Sequence, residues 1–288
     1  MEAAVDSARF YAVRKPLAAF FAGAAIALLA GLIGLGGAEF RLPVLIMVFA
    51  LFAHRAVRIN LLISLATLAA ASLVRLQLIP STHVSQFIPE IVAMASAGIA
   101  AAWVGAGLLE RIPRGRILPV IAVLLVLIAG LLASEGLLHG EGGLSLSPGP
   151  FRTVLALGFG LVIGSISSLL GVAGGEFIIP TLVLVFGADI RTAGTASALI
   201  SLPIVLTGVS RHFLAGKYRS RTMLGFLVLP MSLGSIAGAV AGGYVSLAIS
   251  QNALRLVLAA ILAASAIKLW SKRGAGYQRE KSATKPAG

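Results

Sequence analysis

The stretch GLGGAEFRLP, residues 34–43, places a glutamate and an arginine two positions apart inside an almost unbroken apolar run. It recurs as GVAGGEFIIP at residues 171–180, and the similarity extends without a gap from 31–65 onto 168–202, at a constant offset of 137. The identical positions include Gly34/Gly171, Gly37/Gly174, Glu39/Glu176, Phe40/Phe177 and Pro43/Pro180. Chance matches among apolar residues do not readily supply this Gly, Glu and Pro set, so the sequence indicates an internal duplication.

The composition is that of an integral membrane protein. Of the 288 residues, 58% are hydrophobic and 11% are charged, and the mean hydropathy is +1.00. A bilayer core of roughly 30 Å needs about 20 apolar residues per helix. Eight apolar runs meet that length approximately: 16–33, 59–79, 87–109, 117–138, 151–171, 196–215, 223–247 and 253–270. Two further pieces, 42–53 and 177–187, are too short to cross comfortably at about 1.5 Å per residue.

These pieces predict an all-α polytopic membrane protein built from two repeats of five segments, four long and one short. An odd number of passes per repeat puts the repeats in opposite orientations, as in many secondary transporters. We expect the first repeat at 1–140, an extracytoplasmic linker at 141–150, the second repeat at 151–271 and a basic cytoplasmic tail at 272–288.

The net charge of +13 follows topology rather than nucleic-acid binding. Alternating passes from a cytoplasmic N-terminus bring the main basic clusters to one side: Arg9/Arg14/Lys15, Arg55/Arg58, Arg111/Arg114/Arg116, Arg211/Lys217/Arg219/Arg221 and the tail from Lys268. This positive-inside pattern predicts a multi-pass protein of the inner cell membrane with both termini in the cytoplasm. We interpret the first apolar run as a retained helix and not a signal peptide.

Each copy of the motif reads as a helix that breaks and restarts. Glycines release the helical backbone, and proline suits the first turn of the helix that follows. The restarted half-helix would point its N-terminus, which favours anions, into the protein interior. The candidate substrate-binding residues here are Gly34, Gly36, Gly37, Ala38, Glu39, Arg41 and Pro43, together with Gly171, Gly174, Gly175, Glu176 and Pro180.

The charges in the motifs allow more than one role. Glu39 and Glu176, in the first turns of the half-helices, either complement the helix dipole or form a titratable, proton-coupling pair, and a cation site is a further alternative. Arg41 has no counterpart, because Ile178 takes its place, so it is either an anion contact of the first half or a side chain that snorkels to the interface. For Arg75 the sequence favours snorkelling or a loop contact.

The helix after each short piece carries a polar row. Asn60, Ser64 and Thr67 share one helical face, and Ser197 and Ser201 repeat the first two positions. These side chains either pack neighbouring helices or line the permeation path, and Asn60, Ser64, Ser197 and Ser201 join the candidate binding residues. Glycines at 234, 238 and 242 predict a helix-packing ridge.

Nothing in the sequence has the spacing of an enzyme's nucleophile and base, a nucleotide loop or a metal site, so we expect no enzyme activity, metal or cofactor.

The stretches GLIGLGGAEFRLPVL (31–45) and SLLGVAGGEFIIPTLVLVFGADIRTAGTASALISLP (168–203) resemble the glycine-rich motifs of the sulfite exporter TauE/SafE family, also called toluene sulfonate uptake permeases. The resemblance implies a carrier of a small anion such as sulfite or an organosulfonate. A cation carrier or channel, and a non-transporting scaffold subunit, are the alternatives.

Overall fold

The computed structural model describes residues 15–51, 53–108, 149–170, 172–216, 218, 221–254, 256–261 and 263–264. All of the regular structure in these ranges is helical. The helices are α1 (Pro16–Ile33), α2 (Ala38–Met47), α3 (Ala53–Leu78), α4 (Ser81–Ser85), α5 (Ile88–Leu108), α6 (Pro150–Leu170), α7 (Gly175–Leu184), α8 (Ile190–Leu214) and α9 (Leu229–Ala248). A helical turn, Arg221–Met223, and a π-helical stretch, Leu224–Val228, lead into α9.

In the described part of the chain, five helices are long and apolar enough to cross a membrane. They are Pro16–Ile33, Arg55–Leu78, Pro150–Ser167, Ile190–Leu214 and Leu224–Ala248. Each coincides with a predicted span, which confirms an all-α polytopic membrane protein. Ile88–Val104 and Gln251–Ile261 are apolar but shorter. The predicted span 117–138 and the last six residues of the predicted span 253–270 lie outside the described residues, so the count of eight spans and the division into two repeats, linker and tail stay predictions.

The two half-helices have identical lengths and the same offset of 137 as the sequence repeat. Each follows a glycine in the left-handed conformation, Gly37 at φ 71° and Gly174 at φ 79°. An L-residue with a side chain rarely adopts this backbone conformation, which explains why both copies carry glycine there. The local backbone structure is therefore duplicated along with the sequence.

The half-helices begin earlier than expected. The pieces predicted at 42–53 and 177–187 had proline in the first turn, whereas Pro43 and Pro180 lie inside α2 and α7. The glycine N-caps start each helix five residues before its proline, so the apolar run marked only part of the helix. The prediction that Glu39 and Glu176 lie in the first turns is confirmed. Similarly, α3 starts before residue 59, because the helix continues through Arg55 and Arg58.

Each half contributes its first helix to the other half's packing. The glycine ridge of α9 packs against another helix, as predicted, and that helix is α1: a Cβ at Gly234 would overlap the carbonyl oxygen of Phe20. The repeat preserves this packing: a Cβ at Gly23 of α1 would overlap the carbonyl oxygen of Met231 in α9, and a Cβ at the equivalent Gly160 of α6 would lie 2.5 Å from the carbonyl oxygen of Met94 in α5. At the offset of 137, α1 corresponds to α6, and α5 corresponds to residues 225–245, which cover the π-helical stretch from Gly225 onward and most of α9. The two halves thus pack by exchanging equivalent helices.

The equivalent helices α3 and α8 contact each other and run antiparallel. Near the start of α3, Leu61 packs against Gly208, close to the end of α8. Near the end of α3, Arg75 lies against Gly194, in the second turn of α8. The Tyr218 hydroxyl, just beyond α8, also donates to the Arg58 carbonyl oxygen at 3.2 Å. A two-fold axis perpendicular to the two helices would generate this arrangement.

Candidate functional site

The structure brings the two glycine motifs into direct contact. A Cβ at Gly36 would lie 3.7 Å from the Cβ of Ala173, which is its own equivalent in the repeat. Similarly, the carbonyl oxygen of Leu35 lies 3.0 Å from the position that a Cβ of Gly175 would take. The two breaks therefore meet, and the start of α7 lies beside the turn that precedes α2. Gly171 lies outside the described residues.

Glu39 and Glu176 are both buried, with relative exposures of 9% and 5%. Each lies in the first turn of its half-helix, where unpaired N–H groups and the helix dipole stabilise a negative charge. Glu39 also interacts electrostatically with Arg41 on the same half-helix. Two carboxylates are thus held inside a membrane protein at equivalent positions next to the contact between the motifs.

Arg41 is completely buried, at 0% exposure, so of the two roles predicted for it, snorkelling to the interface is wrong. Its Nη1 donates to the Ser64 hydroxyl at 3.0 Å, and its Nη2 donates to the Gly36 carbonyl oxygen at 3.0 Å and to Thr67 Oγ1 at 3.3 Å. The side chain points inward because α2 packs along the polar face of α3. Among the described residues, its Nε has no partner. The predicted common face of Ser64 and Thr67 is confirmed, since both hydroxyls bind one guanidinium.

Asn60 fixes the start of the first half-helix. Its side-chain Nδ2 donates to the Ala38 carbonyl oxygen at 2.9 Å, and the residue is fully buried. Thr67, two turns further along α3, also donates to the Ile63 carbonyl oxygen at 2.8 Å. The polar row of α3 is therefore used to hold α2 and its glycine turn in place.

The polar row of α8 differs from that of α3. Ser197 and Ser201 are buried at 0% and 1% exposure, and the Ser197 Oγ lies 3.2 Å from the position that a Cβ of Gly175 would take. In the described part of the chain, neither hydroxyl has a hydrogen-bond partner. The predicted row is thus present beside α7, but its hydroxyls are not used as those of α3 are.

Arg75 has a structural role that the sequence did not predict. It is buried, and its Nη2 donates to the carbonyl oxygens of Gly31 and Leu32 at 2.9 and 3.0 Å, in the last turn of α1. The guanidinium thus satisfies carbonyl groups that lack an intrahelical partner at the helix end. Snorkelling and a loop contact were both wrong expectations, because the acceptors of Arg75 lie in the last turn of α1, inside the bundle.

A buried ion pair also escaped the sequence analysis. Arg152 Nε lies 2.6 Å from Glu90 Oε1, and the guanidinium lies over the rings of Phe87 and Phe186 at 5.2 and 5.4 Å. It ties the starts of α5 and α6 to the segment after α7. The repeat gave no signal for it, since Leu227 and Lys15 occupy the corresponding positions.

Within the described residues, no group of three or more His, Cys, Asp or Glu side chains could hold a metal ion. A sequence model of the family described as Sulfite exporter TauE/SafE matches residues 18–269. The match covers both glycine motifs and the polar rows of α3 and α8. No curated protein and no solved structure matches the chain.

Proposed function

The chain belongs to the sulfite exporter TauE/SafE family, and on that basis we propose that it is a secondary transporter of a small sulfur oxyanion or organosulfonate, such as sulfite or sulfoacetate. The family is one of membrane transporters of sulfur anions, not enzymes. Its substrate would bind where the two motifs meet, among the glycine turns, Ala38, Pro43, Pro180 and the polar residues of α3 and α8.

The observation that carries this proposal is a buried positive charge bound to the first glycine turn, which itself contacts the start of the second half-helix. The first-turn N–H groups of α2 and α7 are natural anion donors, and Arg41 adds a full positive charge between α2 and α3. The same arginine argues against a cation carrier, because it would repel a cation bound by Glu39 and Glu176. A scaffold subunit would need neither helix break.

Alternating access by inverted repeats is the mechanism that fits this arrangement best. Support comes from the antiparallel contact between the equivalent helices α3 and α8 and from the exchanged packing of α1 and α6. The site residues are buried from both sides in this conformation, so transport requires a movement that opens one side at a time.

Placement of both termini in the cytoplasm is part of the proposal, and it agrees with Arg58 and Arg211 lying at the same end of the antiparallel helices α3 and α8.

The first test is anion flux through the reconstituted full chain. In proteoliposomes we expect saturable movement of sulfite, thiosulfate or sulfoacetate at several times the rate of gluconate, which serves as an inert anion. Protein-free liposomes give the leak rate. If all four anions move at the leak rate, the transporter proposal is wrong.

Proton coupling through Glu39 and Glu176 is a separate part of the proposal. A carboxylate held inside the membrane is costly unless it is paired or functional, and its protonation would reduce repulsion of an anionic substrate. We expect a pH gradient to accelerate flux in the wild type, and the Glu39→Gln, Glu176→Gln double variant to lose that acceleration. Glutamine keeps the shape of each side chain and removes its titration.

The matched control is Glu90→Gln, which alters a buried carboxylate away from the motifs and should keep the gradient dependence. Coupling through the two glutamates is excluded by a wild type that ignores the gradient. It is equally excluded by a double variant that responds to the gradient as the wild type does.

A further inference from the structure

The two half-sites share a backbone but differ in their side chains. Four positions around each half-helix N-terminus decide the polarity of its surroundings. At the offset of 137 the pairs are Arg41 and Ile178, Asn60 and Ser197, Ser64 and Ser201, and Thr67 and Ile204. A symmetric backbone thus presents two chemically unequal surfaces.

In the first half, the polar side chains bind one another. Asn60 reaches the carbonyl oxygen of the first α2 residue, and Ser64 receives a hydrogen bond from Arg41. The Arg41 terminal nitrogens are also engaged by the Gly36 carbonyl and Thr67. These contacts hold the first turn of α2 in place. Arg41 Nη1, Arg41 Nη2 and Asn60 Nδ2 therefore already donate to protein acceptors when no ligand is bound.

In the second half, two buried hydroxyls stay available. Elsewhere on α8, Thr195 and Thr207 donate to the carbonyl oxygens four residues before them, at 3.0 and 2.8 Å. Ser197 and Ser201 on the same helix make no such bond, and neither hydroxyl has a hydrogen-bond partner among the described residues. A buried donor without an acceptor costs free energy, so native proteins seldom retain one without a reason.

The position of these hydroxyls supplies a reason. Ser197 Oγ lies beside Gly175, the first residue of α7, where unpaired backbone N–H groups attract anions. Ser201 follows one turn later on the same face of α8. Because Ile178 replaces arginine in this half, no guanidinium binds the two hydroxyls from this position as Arg41 binds Ser64, and no side chain of the described ranges bonds to them.

We infer that Ser197, Ser201 and the N-terminus of α7 form the hydrogen-bonding subsite for the oxyanion, and that Asn60 and Ser64 only position the first half. This inference rests on the proposed function. Serine hydroxyls donate to sulfur-bound oxygens and cannot replace a missing positive charge, so the subsite selects ligands by acceptor geometry, while Arg41 supplies the charge.

The test measures sulfite transport and stability on the same variants. Loss of one hydrogen bond to a charged ligand corresponds to about a tenfold loss of affinity. Ser197→Ala and Ser201→Ala should therefore each raise the KM for sulfite about tenfold, with an unchanged or slightly higher unfolding temperature, since each removes an unsatisfied buried donor. Ser64→Ala should lower the unfolding temperature, because Arg41 loses a partner. Ser165→Ala, on the exposed face of α6, is the neutral control.

Two results would overturn the subsite while leaving the transporter proposal intact. One is a KM for sulfite within twofold of the wild type in the Ser197→Ala, Ser201→Ala double variant. The other is a fall in unfolding temperature for the serine variants of α8 as large as that for Ser64→Ala, which would give them a purely structural role. A wild type that moves no anion would instead overturn the proposed function, and the subsite with it.

Discussion

Replacing Arg41 by isoleucine, the residue that the second half carries at position 178, is expected to abolish anion flux and to destabilise the protein. The substitution leaves Ser64, Thr67 and the Gly36 carbonyl without their donor. It also removes the positive charge next to the buried Glu39. Breaking a buried charge interaction from one side costs about 3 kcal/mol. Thermal unfolding of the detergent-purified protein measures the stability, and proteoliposome flux measures the transport.

Two companion variants separate charge from shape. Arg41→Lys keeps the charge but cannot reproduce the three hydrogen bonds in one plane, so we expect partial flux and an intermediate unfolding temperature. Adding Glu39→Gln to Arg41→Ile removes the buried negative charge that interacted with Arg41, and it should recover part of the stability but none of the flux. If Arg41→Ile unfolds at the wild-type temperature, the buried arginine does not hold the first turn as the structure indicates.

The sequence repeat predicted the two breaks and their equivalence because the chemistry of a break is local. Only glycine readily takes the left-handed conformation at positions 37 and 174. The sequence also predicts the approximate length of each membrane span, because the thickness of the bilayer sets how many apolar residues a span needs. The helix starts were less predictable: hydropathy marks where a helix is apolar, whereas α3 continues as a helix through Arg55 and Arg58.

The roles of the arginines depend on contacts that no local pattern contains. Arg75 binds carbonyl groups 43 and 44 residues away, and Arg152 is paired with Glu90 across two helices. Near the end of an apolar helix, snorkelling is the default for such a side chain. Whether a buried acceptor is closer than the interface depends on how the helices are arranged, and the sequence does not state that.

The unequal use of Ser64 and Ser201 shows the same limit inside the site. The two serines are equivalent in the repeat, and the sequence gives them the same role. Their surroundings differ because position 41 is arginine and position 178 is isoleucine, so one hydroxyl is engaged and the other is available. An aligned repeat therefore predicts a symmetric backbone more reliably than a symmetric function.

Alanine at Gly194 is expected to prevent formation of the folded protein. The added Cβ would overlap the carbonyl oxygen of Ile33 and lie 2.8 Å from Arg75 Nη1. The neighbouring Gly34 is equally close to α8, since a Cβ there would overlap the carbonyl oxygen of Gly194. The obstacle is backbone, which cannot move aside as a flexible side chain does, so the cost should exceed the usual 1–3 kcal/mol or so of overpacking. Yield and elution volume on size-exclusion chromatography in detergent report the loss.

Gly158→Ala is the matched control for that substitution. Gly158 also lies within a long apolar helix, α6, but apart from its own helix no atom of the described residues is within 4 Å of the position its Cβ would take. Alanine favours a helix over glycine by about 1 kcal/mol, so this variant should unfold at the wild-type temperature or slightly above it. If the two variants have the same yield and elution volume, the contact between α8 and the first glycine turn is contradicted. Because Gly194 belongs to the second half and Ile33 to the first, the pair tests how the halves fit together without reference to any substrate.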